Sequence, residues 1–589
     1  MQSLSSDSCL EKLGIGLSAI SLWLFSSETA SHRRLADAKG GTGDVNGETA
    51  EGEPRRLVAD VIVEQLIEWG VKQVYGIPGE TSLQIVDAIR RRSDQIRFVL
   101  VRHEEVAAFM ASAYAKLTGD LGVCLSIAGP GATNLVTGLY DAKMDRAPVL
   151  AITGQVGLQF LGLGSFQEID QHALFEAVAD FNEVIDAPEQ VTELLTVAMK
   201  QAIVGHSVSH LGIPTNVQTL SVLPNVKTKP KAGRLPDLRL MPHPHLIAAA
   251  AKAIDAAERP VLIVGYGARR QRDSVLRLAE KIDAPVATTY KAKGIIPEDH
   301  ALALGVMGDI GTDPAKRVVF GADLLVTVGC SYSDKTAVPS YIPQVQIDLE
   351  PIMIGRKFPV RVGLVGDAAM VLPALHEKVT DKHADGYLNQ VARIKKRWEQ
   401  KKQQEIASNA SPVRGPQIMD ALQKVIDRDA IIANDVGDNT LWFARNFMAT
   451  DQEILISGYV ASMGFGLPAA LAAQLVCPDR QVVCTTGDGG FTMVMGDFAT
   501  AVVNELPLTV VLLDNAKLAM IEHEQDEAGV PHFATDLHRI DFARYADACG
   551  GEGFTVDDPQ DLKEALKNAL SAKKATLVDI MTDPRRRWA

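Results

Sequence analysis

Gln481-Val482-Val483-Cys484-Thr485-Thr486-Gly487-Asp488-Gly489 is an apolar, strand-like run that ends in a Gly-Asp-Gly triplet. A second strand-like run spans residues 508–514 and is followed directly by Asn515. The separation of Asp488 and Asn515, about 27 residues, suits a strand–helix–strand crossover, which brings two parallel strand ends to one sheet edge. The sequence therefore predicts a parallel α/β sheet in which Asp488 and Asn515 are neighbours.

The residue types at these two strand ends suit a metal ion bound to a diphosphate. Glycines let backbone N–H groups approach a phosphate closely. The oxygens of Asp488 and Asn515 can hold one Mg²⁺, with diphosphate oxygens completing the coordination shell. A structural alternative exists, since Gly-Asp-Gly triplets are common in turns and Asn often ends a strand. The rest of the chain has to decide between these interpretations.

The composition is that of a large globular enzyme. The chain has 589 residues, of which 47% are hydrophobic and 22% charged, and this length predicts about three domains. The net charge of −14 and the lack of a Lys/Arg-rich stripe argue against nucleic-acid binding. The six cysteines are scattered without a Cys-x-x-Cys pair, which indicates reduced thiols in the cytoplasm rather than disulfides or zinc: Cys9, Cys124, Cys330, Cys477, Cys484 and Cys549.

Residues 1–54 differ from the rest of the chain. The apolar stretch 13–25 is too short to span a bilayer, and Asp7 and Glu11 before it weaken a signal-peptide interpretation. Residues 36–54 are rich in Gly, Asp, Glu and Thr, which predicts disorder. We therefore predict an extension outside the catalytic fold and no integral membrane segment.

From residue 55 onward, helical and strand-like patterns alternate. This alternation predicts doubly wound parallel sheets with helices on both faces. It is clearest at the start, where helices are predicted over 58–69, 81–91 and 104–118, and strands over 71–75, 97–101 and 122–127. We predict three α/β domains over 55–225, 240–380 and 412–585, with a linker helix in 381–411.

Seven motifs follow one another over this length. They are Tyr75-Gly76-Ile77-Pro78-Gly79, Arg102-His103-Glu104-Glu105, Gly129-Pro130-Gly131-Ala132-Thr133-Asn134, Phe166-Gln167-Glu168, Asp435-Val436-Gly437, Met463-Gly464-Phe465-Gly466-Leu467-Pro468, and the Gly487-Asp488-Gly489 and Asn515 pair. Their order resembles the thiamine-diphosphate enzymes of the acetolactate synthase and pyruvate oxidase group over residues 55–585. The resemblance implies an aminopyrimidine-binding, a central and a diphosphate-binding domain.

The resemblance gives chemical roles to two side chains that would otherwise look structural. Glu104 would bond the pyrimidine N1′ of the cofactor, so that the 4′-imino nitrogen can take the proton from thiazolium C2. Without the resemblance, Glu104 is an ordinary acidic residue at a helix N-terminus, and Glu105 is the weaker candidate. Met463 would wedge between the two cofactor rings, although a methionine there is ordinarily core filler.

The remaining cofactor contacts also follow from the resemblance. Mg²⁺ would be held by Asp488, Asn515 and the backbone carbonyl of Lys517, while Gly489 and Gly490 would donate N–H groups to the diphosphate. Further cofactor or substrate contacts are implied at the other motifs: Pro78, Gly79, Val436, Phe166 and Gln167.

The middle domain resembles the FAD-binding domain of pyruvate oxidases. Gly265 and Gly267 follow a strand in Gly265-Tyr266-Gly267-Ala268-Arg269, although this is not a full GxGxxG motif. Asp348 and Asp367 stand in later segments that resemble FAD contacts. The alternative is a domain that keeps its sheet and lacks a nucleotide.

Two departures favour an oxidase over acetolactate synthase. Cys330-Ser331-Tyr332-Ser333-Asp334 stands where the synthase has an Arg-bearing segment, and Glu524 stands where it has Trp. Ile521 and Glu524 match the oxidases, in which a buried Glu can manage protons in the substrate pocket. An exposed helix surface is the alternative for Glu524, because Glu522 and Asp526 flank it.

The sequence thus predicts oxidative decarboxylation of pyruvate with thiamine diphosphate, Mg²⁺ and FAD, giving acetyl phosphate or acetate. The resemblance implies active sites shared between subunits, hence a homodimer or homotetramer. No amphipathic helix precedes Ala589, which favours a soluble cytoplasmic enzyme over a quinone-reducing one. Three alternatives stay open: an acetolactate synthase-type carboligase, a non-oxidative 2-oxo acid decarboxylase or acyltransferase, and a non-catalytic scaffold.

Overall fold

Three parallel sheets organise the chain. The computed structural model describes residues 55–407 and 411–583, so the extension predicted for residues 1–54 lies outside the described part. The described residues form three six-stranded sheets, and every strand pair within them is parallel. The predicted fold class, three doubly wound α/β domains, is confirmed.

The first sheet has the strand order β2-β1-β3-β4-β6-β5. Its strands are β1 Gln73–Gly76, β2 Arg97–Leu100, β3 Gly122–Ser126, β4 Val149–Gln155, β5 Phe181–Val184 and β6 Val208–Pro214. Its helices are α1 Val58–Glu68, α2 Leu83–Arg90, α3 Glu104–Thr118, α4 Pro130–Asn134, α5 Val136–Met144, α6 Gln171–Phe175, α7 Val191–Gly205 and α8 Thr215–Gln218.

The second sheet has the order β12-β11-β10-β7-β8-β9, which is the order of dinucleotide-binding folds. Its strands are β7 Pro260–Val264, β8 Val286–Thr288, β9 Ala303–Val306, β10 Leu324–Val328, β11 Gln344–Asp348 and β12 Val362–Val365. Its helices are α9 Pro244–Ala256, α10 Arg272–Lys281, α11 Asp313–Phe320 and α12 Ala368–Lys378, and the linker helix α13 Asp385–Ile406 follows them.

The third sheet, β14-β13-β15-β16-β18-β17, repeats the strand order of the first. Its strands are β13 Ile431–Asn434, β14 Glu453–Ile456, β15 Val482–Gly487, β16 Thr509–Asp514, β17 Glu552–Val556 and β18 Thr576–Met581. Its helices are α14 Gly415–Val425, α15 Asp438–Asn446, α16 Gly466–Val476, α17 Asp488–Val494, α18 Phe498–Val503, α19 Ala519–Ala528, α20 Phe542–Ala548 and α21 Leu562–Ser571.

Both faces of these sheets are buried, which explains why the strands are continuous apolar runs in the sequence. In β3, Val123 and Leu125 belong to one hydrophobic core, whereas Cys124 between them belongs to another. Successive strand residues point to opposite faces, so each face of the sheet packs against its own layer of helices. The apolar composition of the strands is therefore a direct consequence of the doubly wound architecture.

A buried charge cluster joins the three domains. Nζ of Lys116, from the first domain, lies 2.6 Å from Oδ2 of Asp141 and 2.7 Å from Oδ2 of Asp145, and donates to the carbonyl of Ile456 in the third. Lys291, from the central domain, lies 2.9 Å from Oδ1 of Asp145. Because removal of one partner would leave a buried charge uncompensated, the cluster fixes how the domains meet.

Two further observations concern the described residues only. Cys124, Cys330, Cys477, Cys484 and Cys549 are all free thiols, and Cys9 lies outside the described residues. In residues 55–407 and 411–583, none of the helices combines the length and the apolar character needed to cross a bilayer.

Candidate cofactor and active site

The site is built at the carboxyl ends of β15 and β16. These strands are adjacent and parallel, with Gly487 paired to Leu513, so Asp488 and Asn515 emerge together at one sheet edge. Both residues line a cavity of about 270 Å³. The proximity predicted from the crossover spacing is thus observed.

We name this space the cofactor cavity. Within the described part of the chain, all of its walls come from residues 414–583. It brings together most of the predicted residues of the third domain: Val436, Met463, Asp488, Gly489, Gly490, Asn515, Lys517 and Ile521. These residues are spread over 86 positions of sequence from Val436 to Ile521, about half a domain, and converge because four strand ends meet at this edge.

Gly489 and Gly490 form the floor of the cofactor cavity, and neither position has room for a side chain. A Cβ on Gly489 would lie 3.0 Å from Cε of Met463 and 3.1 Å from Cδ2 of Leu518. A Cβ on Gly490 would lie only 2.7 Å from Oδ2 of Asp435. This backbone can therefore present its N–H groups to a ligand at close range.

Asp435 holds this floor in place and was not among the predicted site residues. Its Oδ1 accepts hydrogen bonds from the backbone N–H of Val436 at 2.7 Å and of Gly464 at 3.0 Å. Its Oδ2 accepts from Oγ1 of Thr486 at 2.9 Å. Burial raises the pKa of Asp435 to about 6. One carboxylate therefore ties together the segments that carry Met463, Val436 and the glycine turn.

The donor set at the strand ends fits a hard divalent cation. Burial, together with the neighbouring Asp514 carboxylate, raises the pKa of Asp488 to about 7. A cation beside Asp488 would relieve this accumulation of negative charge. Carboxylate, amide and carbonyl oxygens are the ligands that Mg²⁺ takes alongside phosphate oxygens. Asp488, Asn515 and Lys517 thus fit a Mg²⁺–diphosphate group.

The side chain of Lys517 is occupied by acidic neighbours. Its Nζ lies 2.7 Å from Oε1 of Glu522 and 2.8 Å from Oδ1 of Asp536. Its backbone N–H donates to Oδ1 of Asn515 at 3.0 Å. The ammonium group of Lys517 is therefore directed to these carboxylates. The predicted metal ligand from Lys517 remains its backbone carbonyl oxygen.

Glu104 lies in the first domain, away from the walls of the cofactor cavity. It begins α3, which His103 caps by accepting the N–H of Glu105, and which ends at Gly119 with a positive φ of 78°. The Glu104 side chain is 8% exposed, and its Oε2 accepts a hydrogen bond from Nδ2 of Asn134 at 3.0 Å. The sequence motifs did not predict this hydrogen bond between Asn134 and Glu104.

The glycine turn after β3 surrounds Glu104. A Cβ on Gly131 would lie 3.2 Å from Oε1 of Glu104, so this carboxylate reaches the turn directly. Gln167 has a positive φ of 60°, and its carbonyl lies 2.9 Å from where a Cβ on Gly129 would be. The structure thus brings Glu104 and Gln167 to the same turn.

The other predicted residues of the first domain lie nearer the surface. Phe166 is 82% exposed, and Pro78 is also exposed. Gly79 packs on Ile127, whose Cγ2 lies 2.5 Å from an added Cβ. The predicted site residues therefore form two groups in one chain, one around Glu104 and one around Asp488.

The acidic residues of helix α19 differ in their burial and in their contacts. Ile521 is 42% exposed and lines the cofactor cavity, whereas Glu524 is exposed and is not part of its walls. Glu522 is the buried acid, with Oε1 accepting from Oγ1 of Thr535 at 2.9 Å. A substrate role for Glu524 remains a prediction.

The glycines of the central domain have a packing role. A Cβ on Gly265 would lie 2.1 Å from the carbonyl oxygen of Gly329, and one on Gly267 would lie 2.8 Å from its Cα. Two strand-end turns therefore touch through backbone alone, at the point where the strand order reverses. The absence of a side chain is required by the protein itself, whether or not a dinucleotide binds.

Asp348 and Asp367 have local partners. Asp348 is buried, burial raises its pKa, and its Oδ1 accepts from the N–H of Glu350 at 3.0 Å. Asp367 caps α12 by accepting from the N–H of Ala369 at 2.8 Å. Their predicted contacts with FAD remain predictions.

Models of one enzyme family match three successive parts of the chain. The N-terminal binding-domain model of thiamine pyrophosphate enzymes matches residues 56–174, and the central-domain model matches 247–375. The C-terminal binding-domain model matches residues 435–580, which contain most of the cofactor cavity.

Individual relatives extend over nearly the same length. A Bacillus subtilis (strain 168) protein named for thiamine pyrophosphate, YdaP, is 38% identical, with 89% of this chain and 92% of that protein covered. The pyruvate oxidase of Lactiplantibacillus plantarum is 31% identical, with 89% and 88% covered. Acetolactate synthase isozyme 1 large subunit of Escherichia coli (strain K12) is 31% identical, with 91% and 95% covered. Three domain models match the chain in order, and the glycine floor and the oxygen ligands of the cavity suit the cofactor. The chain therefore belongs to the thiamine pyrophosphate enzyme family.

Proposed function

We propose that the protein oxidatively decarboxylates pyruvate with thiamine diphosphate, Mg²⁺ and FAD, and releases acetyl phosphate or acetate. The observation that carries the thiamine part is the cofactor cavity, where Asp488, Asn515 and the Gly489–Gly490 backbone converge. The similarity to the L. plantarum pyruvate oxidase supports the oxidase part.

Each residue of the cavity has a proposed task. Asp488, Asn515 and the carbonyl of Lys517 would hold Mg²⁺, and Gly489 and Gly490 would donate N–H groups to the diphosphate. When bound, thiamine diphosphate supplies the carbanion that attacks the keto carbon of the substrate. Met463 packs on Gly489, where it would support the thiazolium and pyrimidine rings.

Glu104 would position and polarise the aminopyrimidine ring. Its Oε2 is held by Asn134, so its other oxygen is left to meet the pyrimidine N1′. The burial of this carboxyl group limits its contact with bulk water, so a bound ring nitrogen would be its natural hydrogen-bond partner. Val436, Pro78 and Gly79 would add backbone contacts to the same ring.

Substrate contacts are proposed for Ile521, Glu524, Phe166 and Gln167. Ile521 forms part of the cavity wall and would exclude water from the keto acid. Phe166 and the nearby Phe160 and Leu163 are all exposed, and a group of exposed apolar side chains of this kind favours a contact surface. We propose that a second copy of the chain covers Phe166 and Glu524.

The separation of the two residue groups leads to a test of shared sites. If the Glu104 group of one chain completes the cofactor cavity of another, mixed refolding of Glu104→Gln with Asp488→Ala should restore activity. Each mixed dimer would contain one intact site, so we expect up to about a quarter of wild-type activity at equal amounts, from half of the chains forming mixed dimers. The measurement is pyruvate turnover after refolding, alongside light scattering for the oligomeric state.

Each variant refolded with itself is the control for that experiment. Activity that stays at the background of these controls, when subunit exchange is demonstrated with differently tagged chains, would contradict the shared site. A monomer by light scattering would contradict it as well.

The flavin is tested on the protein itself. The purified protein should show a flavin absorption band, and pyruvate under argon should bleach it because two electrons pass from substrate to FAD. Glu104→Gln is the matched control: it should retain the band but bleach far more slowly. A colourless protein on which added FAD has no effect would remove the oxidase assignment.

Gly265→Val would be a poor probe of flavin binding, because the valine side chain would collide with Gly329 whether or not flavin is bound.

A carboligase is the second candidate. The similarity to acetolactate synthases, including a Methanocaldococcus jannaschii protein at 34% identity, favours it to a comparable degree. Formation of acetolactate from pyruvate alone would identify the carboligase, whereas consumption of an electron acceptor with release of CO₂ would identify the oxidase.

A further inference from the structure

A second cavity, of about 390 Å³, lies outside the cofactor cavity and shares no residue with it. We name it the linker-helix cavity, since the linker helix α13 forms one wall. The loop 308–312 and α11 form a second wall, and α15 of the third domain closes it. Its characteristic side chains are Lys316, Arg317, Arg397, Trp398, Lys401 and Arg445.

The face that α13 turns toward this cavity follows from helical spacing. Ile394, Arg397, Trp398 and Lys401 are three or four residues apart, so they lie on one side of the helix. The helix thus lines the cavity with two cationic groups and one indole side by side. Trp398 is half-buried, with part of its ring still accessible.

Within the described part of the chain, the residues that line the cavity carry more positive than negative charge. Arg317 pairs with Asp313 at 2.6 Å, and the second acidic wall residue, Asp309, lies 3.8 Å from Lys335 outside the cavity. For Lys316, Arg397 and Lys401, residues 55–407 and 411–583 supply no acidic partner within ion-pair distance. Five basic and two acidic described residues line the space, and the carboxylate of Glu405 acts electrostatically on one of the basic ones, Arg445.

Arg445 fixes the shape of the remaining wall. Its Nε donates to the carbonyl of Gly311 at 3.1 Å and a terminal nitrogen donates to that of Asp309 at 3.3 Å. The loop between β9 and α11 is therefore held against α15, so the cavity walls are anchored across two domains. A preformed concave site loses less entropy on binding than a flexible surface does.

We propose that the linker-helix cavity binds a nucleoside phosphate, with Lys316, Arg397 and Lys401 on the phosphates and Trp398 stacked on the base. Phosphate oxygens form strong charge-assisted hydrogen bonds with such cations, and cations that lack an acidic partner attract them. Indole faces stack on nucleobases. The volume lies within the range of small-molecule sites, roughly 300–1,000 Å³. The nucleotide is a free one, since the residues proposed to contact FAD, Gly265, Gly267, Asp348 and Asp367, lie outside this cavity.

The test is calorimetric titration of the cofactor-loaded protein with ADP. The variant Lys316→Gln/Arg397→Gln/Lys401→Gln should bind ADP at least ~10-fold more weakly, because charge-assisted hydrogen bonds are lost at exposed positions. The matched control, Lys252→Gln/Arg393→Gln/Lys396→Gln, removes three exposed cations that lie outside the cavity, one on α9 and two on α13, and should bind ADP like wild type. Raised salt should weaken the wild type but hardly change the first variant.

The variant Trp398→Ala tests whether Trp398 stacks on the nucleobase. It should weaken ADP by at least ~5-fold and leave inorganic pyrophosphate nearly unchanged, because only ADP carries a base to stack. ADP binding without flavin release would support a free nucleotide, whereas ADP binding that displaces bound FAD would overturn the proposal, because the cavity would then belong to the flavin site. Absence of ADP binding, or equal ADP affinity in the two triple variants, would overturn the proposal.

Discussion

Asp488→Ala is expected to abolish Mg²⁺-dependent retention of thiamine diphosphate, with affinity reduced at least ~100-fold, because the diphosphate then lacks its bridging cation. Removing this side chain also removes a buried carboxyl group that Asp514 crowds, so the fold should survive the change. The measurement is titration of thiamine diphosphate in the presence and absence of Mg²⁺.

Glu527→Ala is the control for Asp488→Ala. It removes an acidic group from the exposed end of α19, and cofactor affinity should stay within about twofold of wild type. Far-ultraviolet circular dichroism should be the same for both variants. Wild-type cofactor affinity in Asp488→Ala would contradict the metal assignment.

Glu104→Gln is expected to reduce turnover at least ~100-fold, because it removes the acid–base group while keeping the side-chain shape. The amide oxygen of Gln can still accept the hydrogen bond from Asn134, so the local structure should be preserved. Cofactor affinity should therefore change little while kcat falls. Both are measured on the same preparation, by cofactor titration and by pyruvate turnover.

The neighbouring Glu105 provides a matched control. Burial raises the pKa of Glu105, so this carboxyl group is perturbed as well, yet no hydrogen bond joins it to Asn134 in the described residues. Glu105→Gln should keep turnover within a few-fold of wild type. If both variants lost activity equally, or if Glu104→Gln kept near-wild-type turnover, the assignment of Glu104 would be wrong.

Local sequence signals predicted the elements that carry these residues. The helix predicted over residues 104–118 coincides with α3, because His103 caps its start and Gly119 ends it in the left-handed region. The run before Gly487 forms β15, as an apolar segment buried on both faces should. Such signals lie within a few residues of the element they specify, and therefore a sequence contains them directly.

Signals that depend on distant partners were missed or received another interpretation. Asp435 belongs to a recognised motif, yet its task depends on Gly464 and Thr486, which only the folded sheet brings within hydrogen-bond distance. Gly265 followed the pattern of a dinucleotide turn, whereas its nearest neighbour is the backbone of Gly329 in another turn. Pairwise contacts of this kind leave no trace in the spacing of either partner.

The acidic residues of α19 show the same limit within a single helix. Glu522, Glu524 and Asp526 form one charged run, and residue type does not distinguish between them. Packing of the helix buries Glu522 against Thr535 and leaves Glu524 exposed. The orientation of a short polar helix is set by the surface that it packs on, so its own periodicity could not decide it.

The sequence by itself determined the doubly wound fold, the order of the motifs and the meeting of Asp488 with Asn515, because alternation and crossover length dictate which strand ends share an edge. Only the tertiary structure decided how the domains meet, through Lys116, Asp145 and Lys291, and which predicted residues share a cavity. It separated the Glu104 group from the Asp488 group, since the walls of the cofactor cavity within the described chain come from residues 414–583. Such contacts depend on the packing of surfaces far apart in sequence, for which a single chain carries no local signal.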